Sequence, residues 1–336
     1  MMAVEIKDIC GRFQPPVLLV STRVGRGNIS IAEAMIESFP GDIAAHHVCV
    51  EDLLPARAVR EDLARYKLIS NRFRFLLQLI YRVPFFYYRK YLRERFMGQS
   101  DLGALAKKIA AVKARTVICV SHRPTFWVSD LRSKSHGDFK LWGVMTEFGP
   151  SLGWDFVFWD AVDGVLSPLE KKELGLDRLD RLDFVSVRLP AKKEYQALAA
   201  VPGRRDNVLL VCGYWGQADM YRLVRRLSAV IPGFNIFVVC GENQADHEKI
   251  RRSFAGSKNI KVFGQVDSLA PFFKECASVI TKPGMATLLE AYAARRKIFL
   301  LKGMPVAEDN NARYALSHFG AEWFDPGKFM EWSRAE

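Results

Sequence analysis

The sequence predicts an α/β protein made of two Rossmann-like domains, on three observations. Val17–Gly27 reads VLLVSTRVGRG, an apolar strand entering a glycine-containing turn, with apolar positions continuing at helical spacing through Ala32 and Met35. Val208–Ala218, VLLVCGYWGQA, repeats that plan ahead of a helix expected over 219–230. Beyond each opening, short apolar runs alternate with helical segments, the pattern of buried parallel strands and their crossover helices. Two such openings mean two sheets rather than one large one.

Taken in order, the first half predicts strands near 17–21, 47–50, 116–120, 140–145 and 183–187, interrupted by a long basic and aromatic stretch over 55–97. The segment from Leu189 to Asp206 contains LPAKK and VPGRRD and reads as the linker. The second half predicts strands at Val208–Cys212, Ile236–Cys240, Ile260–Phe263, Val279–Thr281 and Ile298–Leu301. Helices fit between and after them at about 219–230, 245–255, 269–276, 286–295 and 310–319. The expected organisation is a first domain over 1–190, a linker over 191–206 and a second domain over 207–336.

With 336 residues, 49% of them hydrophobic, the chain can build two cores, which excludes a disordered or fibrous protein. Its formal net charge of +12 points to an anionic partner such as a nucleotide, an acidic membrane or a nucleic acid. The six cysteines include no C-x-x-C pair, and Cys119, Cys212 and Cys240 lie in apolar runs, so they read as buried thiols in a reducing compartment. Met1 to Phe13 mixes charged and apolar residues, unlike a signal peptide. No uncharged apolar run approaches the roughly 20 residues of a membrane helix. A cytoplasmic protein is expected, with any membrane contact peripheral on the inner face.

Three strand ends in the second half carry chemistry, because open α/β sheets bind ligands beyond the carboxyl ends of their strands. Gly213-Tyr214-Trp215-Gly216 lies between strand and helix, where glycine lets backbone approach a phosphate and the helix start offers N–H groups. Glycine kept for a tight turn is the alternative. In Thr281–Glu290 a strand ends, Pro283-Gly284 turns, and a helix begins, placing Glu290 within about its first turn. A carboxylate there accepts both hydrogen bonds of a ribose diol, or else it stabilises the helix dipole. Pro305–Ala312 gathers polar groups ahead of a helix, for sugar hydroxyls or for N-capping by Asp309 or Asn310.

From Val208 to Ala321 the chain resembles the donor domain of the glycosyltransferases that include monogalactosyldiacylglycerol synthases and processive diacylglycerol glucosyltransferases. It is more distantly similar to the N-acetylglucosaminyltransferase of peptidoglycan lipid assembly. The matching pieces are VVCGEN (238–243), VFGQVDSLAPFFKECASVITKPG (262–284), the T-x-x-E-A of Thr287–Ala291 and AEDNNA (307–312), in matching order and spacing. The resemblance implies the GT-B architecture, two Rossmann-like domains facing a central cleft, and a UDP-sugar as donor substrate with no cofactor. It gives the diphosphate to Gly284, Met285 and Thr287, with Lys282 and Ala286 in the same turn. It gives the ribose to Glu290, the uracil to the backbone around Phe263, Gly264 and Gln265, and the sugar to Glu308, with Asn311 close by in the same motif. Met285 stands where a second glycine is usual and Ala307 where a glutamine is usual, which narrows the phosphate turn and removes one sugar contact.

The resemblance continues, more weakly, over 17–170. STRVGRGNISIAEAM matches the first loop of the family, with Gly25 and Gly27 kept and Asn28 in the place of a functionally important histidine. His122, in VICVSHRP, sits at a strand end like a family His-Pro, or is a packed loop histidine. Glu147, in VMTEFGPSLGW, stands where an aspartate is usual. A carboxylate at a strand's carboxyl end suits a general base, and a structural role suits it as well. The implied reaction is a single inverting displacement on a hydroxyl acceptor such as diacylglycerol, with helix starts and basic groups stabilising the leaving diphosphate. The same chemistry on a soluble natural product or a polyprenyl-linked saccharide, and a non-catalytic nucleotide-sugar-binding protein, are the competing functions.

No metal is expected. No D-x-D pair stands at a strand end, Asp160 and Asp163 are separated by two residues, and Asp177, Asp180 and Asp183 read as a solvated helix face. His46-His47 lacks a partner at ligand spacing. The stretch 71–96, NRFRFLLQLIYRVPFFYYRKYLRERF, interleaves Arg and Lys with Phe, Tyr and Leu around a single acid, Glu94. That composition suits an anionic membrane surface, or a helix pair with arginines in solvent. No nucleic-acid motif accompanies it, so no nucleic-acid partner is expected.

Overall fold

The computed structural model describes residues 4–23, 26–55, 102–135, 137–149, 152–174, 181–213, 219–303 and 307–335. The basic stretch 71–96, Gly25, Tyr214-Trp215-Gly216 and Pro305-Val306 lie outside the described residues. The chain divides near Pro190 into a unit of Met1–Pro190 and a second that runs from Ala191 through Met304 and resumes at Glu308.

The first unit contains β1 (Val4–Glu5), β2 (Val17–Ser21), α1 (Gly27–Ser38), β3 (Ala45–Cys49), α2 (Leu102–Val112), β4 (Thr116–Val120) and α3 (His122–Ser135). It continues through β5 (Lys140–Val144), β6 (Gly164–Ser167) and β7 (Asp183–Arg188). The strands form a sheet in the order β1-β7-β6-β5-β4-β2-β3, every pair parallel. Every residue of β2 and β4 is buried, as in central parallel strands covered on both faces, hence their unbroken apolar runs. Leu105 and Ile109 of α2 and Trp127 of α3 complete one core with Val117 and Cys119 of β4.

The second unit contains α4 (Lys193–Ala197), β8 (Arg204–Val211), α5 (Met220–Val230), β9 (Asn235–Val239), α6 (Gln244–Ser253) and β10 (Ile260–Phe263). After these come α7 (Ala270–Glu275), β11 (Cys276–Thr281), α8 (Met285–Ala293), β12 (Lys297–Leu300), α9 (Ala307–His318), β13 (Glu322–Trp323) and α10 (Pro326–Arg334). Its sheet is also parallel, in the order β10-β9-β8-β11-β12-β13. Phe329 of α10 is fully buried against Phe234 and Phe299, closing one face of that sheet.

Two expectations differ from the structure. The segment 191–206 is not an independent tether but part of the second unit. Tyr195 of α4 is buried, with its hydroxyl accepting from the Leu269 N–H at 3.2 Å. Arg296 donates to the carbonyls of Leu198 and Val201 at 3.1 and 2.6 Å. Proline, glycine and charge mark turns here, but the burial of Tyr195 decides the segment's place. Asp183, expected on a solvated helix face, opens β7 and takes a 2.5 Å ion pair from Arg12; Asp177 and Asp180 lie outside the described residues.

Candidate functional site

In the second sheet the chain steps outward from β8 through β9 to β10 on one side, and from β11 through β12 to β13 on the other. Direction reverses between β8 and β11, the kind of place where open α/β sheets bind ligands. Val211 is level with Thr281, and Thr281 with Leu300, so the turns after three adjacent strands meet. Gly213 has φ +79°, and a Cβ there would stand 2.7 Å from Lys282 Cε, so the turn passes this lysine only as glycine. Lys282 Nζ donates to Glu308 Oε1 at 2.6 Å, and their side chains are 13% and 9% exposed. A Cβ on Gly303 would stand 2.6 Å from Glu308 Oε2 and 2.8 Å from Pro283 Cδ. Asn311 is buried and donates from Nδ2 to the Pro283 carbonyl at 3.1 Å. Glu308 and Asn311 thus tie the start of α9 to the Lys282-Pro283-Gly284 turn.

The sequence reading gave the two helix starts here one role, and the structure separates them. Gly284 caps α8 in extended conformation, with no side-chain cap and no acid in the first turn. The N–H groups of Met285, Ala286 and Thr287 precede the first helical bond, from Leu288 N–H to the Gly284 carbonyl. This start suits an anion. At α5, Asp219 accepts from the Arg222 N–H at 3.0 Å and Asp246 from the Met220 N–H at 3.0 Å. Two carboxylates already occupy that start. Gly213 therefore serves to admit Lys282, while Tyr214, Trp215 and Gly216 lie outside the described residues.

Glu290 is the sixth residue of α8 and is 7% exposed. A dipole role fades within the first turn, so that alternative falls away. Tyr195 lies close enough that Glu290, after burial itself, helps push the phenol pKa upward. At the end of β10, the Phe263 ring packs against Phe237 and Phe272, and its carbonyl accepts from the Cys240 N–H at 2.9 Å. A Cβ on Gly264 would meet nothing within 4 Å, and Gln265 is exposed, which leaves room for a planar group. Three strand spacings separate β10 from β11, about 14 Å, a span that suits a nucleoside diphosphate laid from base to phosphate.

In the first unit, β5, β4 and β2 are consecutive, and Glu147, His122 and Asn28 follow their carboxyl ends. Asn28 is the second residue of α1, whose start also has no side-chain cap. His122 opens α3 directly after Ser121, a non-glycine residue at φ +98°. Its ring lies edge-on to Trp154 at 6.2 Å, and Gly153 passes too close to it for any side chain. Part of the residue reaches the surface, but Nδ1 is buried and has no hydrogen-bond partner among the described residues. Burial, then the Arg123 charge, lowers the His122 pKa to about 4. The imidazole is neutral near pH 7 and a weak base; Glu147 is half-buried in the turn after β5.

Of the other sequence-flagged acids and histidines, Asp160, Asp163, Asp183 and His47 have structural partners. Asp163 accepts from the Leu141 N–H at 2.7 Å and pairs with Arg132 at 2.5 Å, and His47 Nε2 lies 2.7 Å from Ser21 Oγ. Among the described residues, no three His, Cys, Asp or Glu side chains gather around a possible metal position. Sequence reasoning missed Gly303, Gly153 and Tyr195. Gly303 carried a faint signal as a glycine just past a strand, whereas the contacts of Gly153 and Tyr195 are long-range and leave none.

No protein-family model matches the chain. Among curated proteins it is 23% identical over 326 residues to a processive diacylglycerol β-glucosyltransferase of Bacillus cytotoxicus, covering 89% of this chain and 79% of that protein. A protein of the same name from Bacillus mycoides is 24% identical over 317 residues with the same coverage. Among solved structures, Os79 of O. sativa in complex with U2F and trichothecene aligns with TM-score 0.57 and 11% identity, covering 94% of this chain and 89% of the other. MurG of Acinetobacter baumannii aligns with TM-score 0.52, 11% identity and the same coverage. A UDP-GlcNAc 2-epimerase of Neisseria meningitidis, bound to UDP-GlcNAc, aligns with TM-score 0.53 and 9% identity over 94% and 89%. The fold thus hosts more than transferases. By its two parallel sheets the chain has the GT-B fold, and in sequence it is similar to the processive diacylglycerol β-glucosyltransferases.

Proposed function

We propose that the chain transfers a hexose from a UDP-sugar to a lipid hydroxyl such as that of diacylglycerol, with inversion at the anomeric carbon. The observation that carries this reading is the α8 start at the strand-order reversal, open to an anion and flanked by the buried Lys282. The second unit takes the donor. Met285, Ala286 and Thr287 offer N–H groups to the diphosphate, Glu290 takes the ribose diol, and the Phe263–Gln265 backbone takes the uracil. The first unit takes the acceptor, with Glu147 as base and His122 as a neutral hydrogen-bonding neighbour.

In the reaction, Glu147 removes the hydroxyl proton as the acceptor oxygen bonds to the anomeric carbon. The bond from that carbon to the diphosphate oxygen breaks with its electron pair, and the negative charge grows on UDP. Preorganised N–H groups and a fixed cation stabilise charge that develops late in the step, which is where such groups act most strongly. The basic-aromatic stretch 71–96 brings the protein to an anionic bilayer holding the acceptor. A panel of nucleotide sugars, with UDP release measured with and without diacylglycerol vesicles, tests this. Lipid-stimulated release from a UDP-hexose is expected. Release stimulated only by a soluble acceptor would replace the lipid, and binding of donor with no release would make the protein a nucleotide-sugar binder.

A further inference from the structure

The family resemblance assigns Glu308 to the sugar. We infer instead that Glu308 is a positioning residue for Lys282, acting on the diphosphate and not reading the sugar. This rests on the donor reading of the second unit. One carboxylate oxygen, Oε1, is taken by Lys282 Nζ at 2.6 Å. The other, Oε2, lies so close to Gly303 that even a methyl group there would meet it at 2.6 Å. With its side chain 9% exposed, Glu308 has little surface left to offer a ligand.

The lysine is held as tightly. Its side chain is 13% exposed, and Gly213 packs on its Cε. Burying an ammonium group is costly unless a counter-charge pairs with it. Glu308 supplies that charge, and Asn311 on the same helix anchors the turn through the Pro283 carbonyl. The product is a fixed cation two residues before Gly284, the cap of the one helix start of the two that carries no carboxylate. A point charge there meets a diphosphate. The neighbouring Ala307 has no polar side chain, so that position offers the hexose no side-chain hydrogen bond. Discrimination among hexoses therefore falls to other residues.

Calorimetric titration of the full chain with uridine, UDP and UDP-glucose separates the possibilities. In Glu308→Gln, affinity for UDP and for UDP-glucose should fall by the same factor, about tenfold, with uridine unchanged. Lys282→Met should lose at least as much. The double variant Lys282→Met/Glu308→Gln strands no charge, so it guards against simple misfolding, and it should bind UDP no worse than Lys282→Met alone. A fall confined to UDP-glucose would make Glu308 a sugar ligand and overturn the inference. A fall in uridine as well would reduce it to a brace for the fold, and unchanged or tighter UDP would show that Lys282 does not depend on it. If the parent binds neither UDP nor UDP-glucose, the donor reading itself is lost.

Discussion

At the scale of single residues, two side chains carry most of the chemistry that can be checked. Glu290 is buried on α8, beyond the first turn where a dipole role acts, and the proposed function gives it the ribose diol. Glu290→Gln should weaken UDP by roughly 1.5–3 kcal/mol, the worth of a charge-assisted hydrogen bond, and leave the urea midpoint nearly unchanged. Equal calorimetric affinity in parent and variant would remove Glu290 from the site. His122 makes a pH prediction. Its pKa falls from 6.5 to about 4, through burial first and Arg123 second. Above about pH 6.5 the imidazole is neutral folded and unfolded, and its stability contribution is fully present. As pH falls toward 4 only the unfolded chain takes up the proton, and a loss on the order of 3 kcal/mol follows. Urea unfolding at pH 7 and pH 4.5 should show this loss in the parent and much less of it in His122→Asn. Equal losses in the two proteins would mean that the ring is solvated.

At the scale of elements, the turns after β8, β11 and β12 work as one device around the Lys282–Glu308 pair. Gly303→Ala forces a methyl against Glu308 and Pro283, so it should cost about 1–3 kcal/mol of stability, as overpacking does, and weaken UDP with it. Gly264→Ala, which meets nothing, is the control and should leave stability unchanged. Thermal unfolding of both variants checks the pair, and equal midpoints would mean that the β12 turn relaxes freely. Central strands were legible in the sequence because fully buried parallel strands are continuous apolar runs, and Thr116–Val120 has the bounds that its run suggests. Elements of other kinds were not. Gly164–Ser167 is four residues opening on a glycine, and the edge pairs Val4–Glu5 and Glu322–Trp323 are too short to show a period. The site was legible as a motif, Lys282-Pro283-Gly284 with Glu290. That Glu308 would turn to Lys282 was not, because 26 residues separate them and only the sheet order brings them together.

At the scale of the molecule, charge and acceptor come together. Among the described residues no helix is long and apolar enough to cross a membrane. With a formal net charge of +12, binding to anionic vesicles should fall steeply with salt, since screening at 0.15 M acts over roughly 8 Å. Changing Arg72, Arg74, Arg89 and Lys90 to glutamine should weaken vesicle binding by about 1 kcal/mol for each charge and leave UDP affinity untouched. Cosedimentation with anionic and neutral vesicles at two salt concentrations measures it, and equal binding to both vesicle types would remove the electrostatic contact. On the proposed reading the donor turn and Lys282 supply the charge stabilisation, so turnover should persist in chelator. The most direct test of the whole account supplies radiolabelled UDP-glucose, diacylglycerol vesicles and chelator together and follows where the label goes. Transfer of label into the organic-extractable lipid, dependent on diacylglycerol and lost in Glu290→Gln, is the predicted result. Label that stays in the aqueous phase with every UDP-sugar tried, with or without added metal, would contradict it.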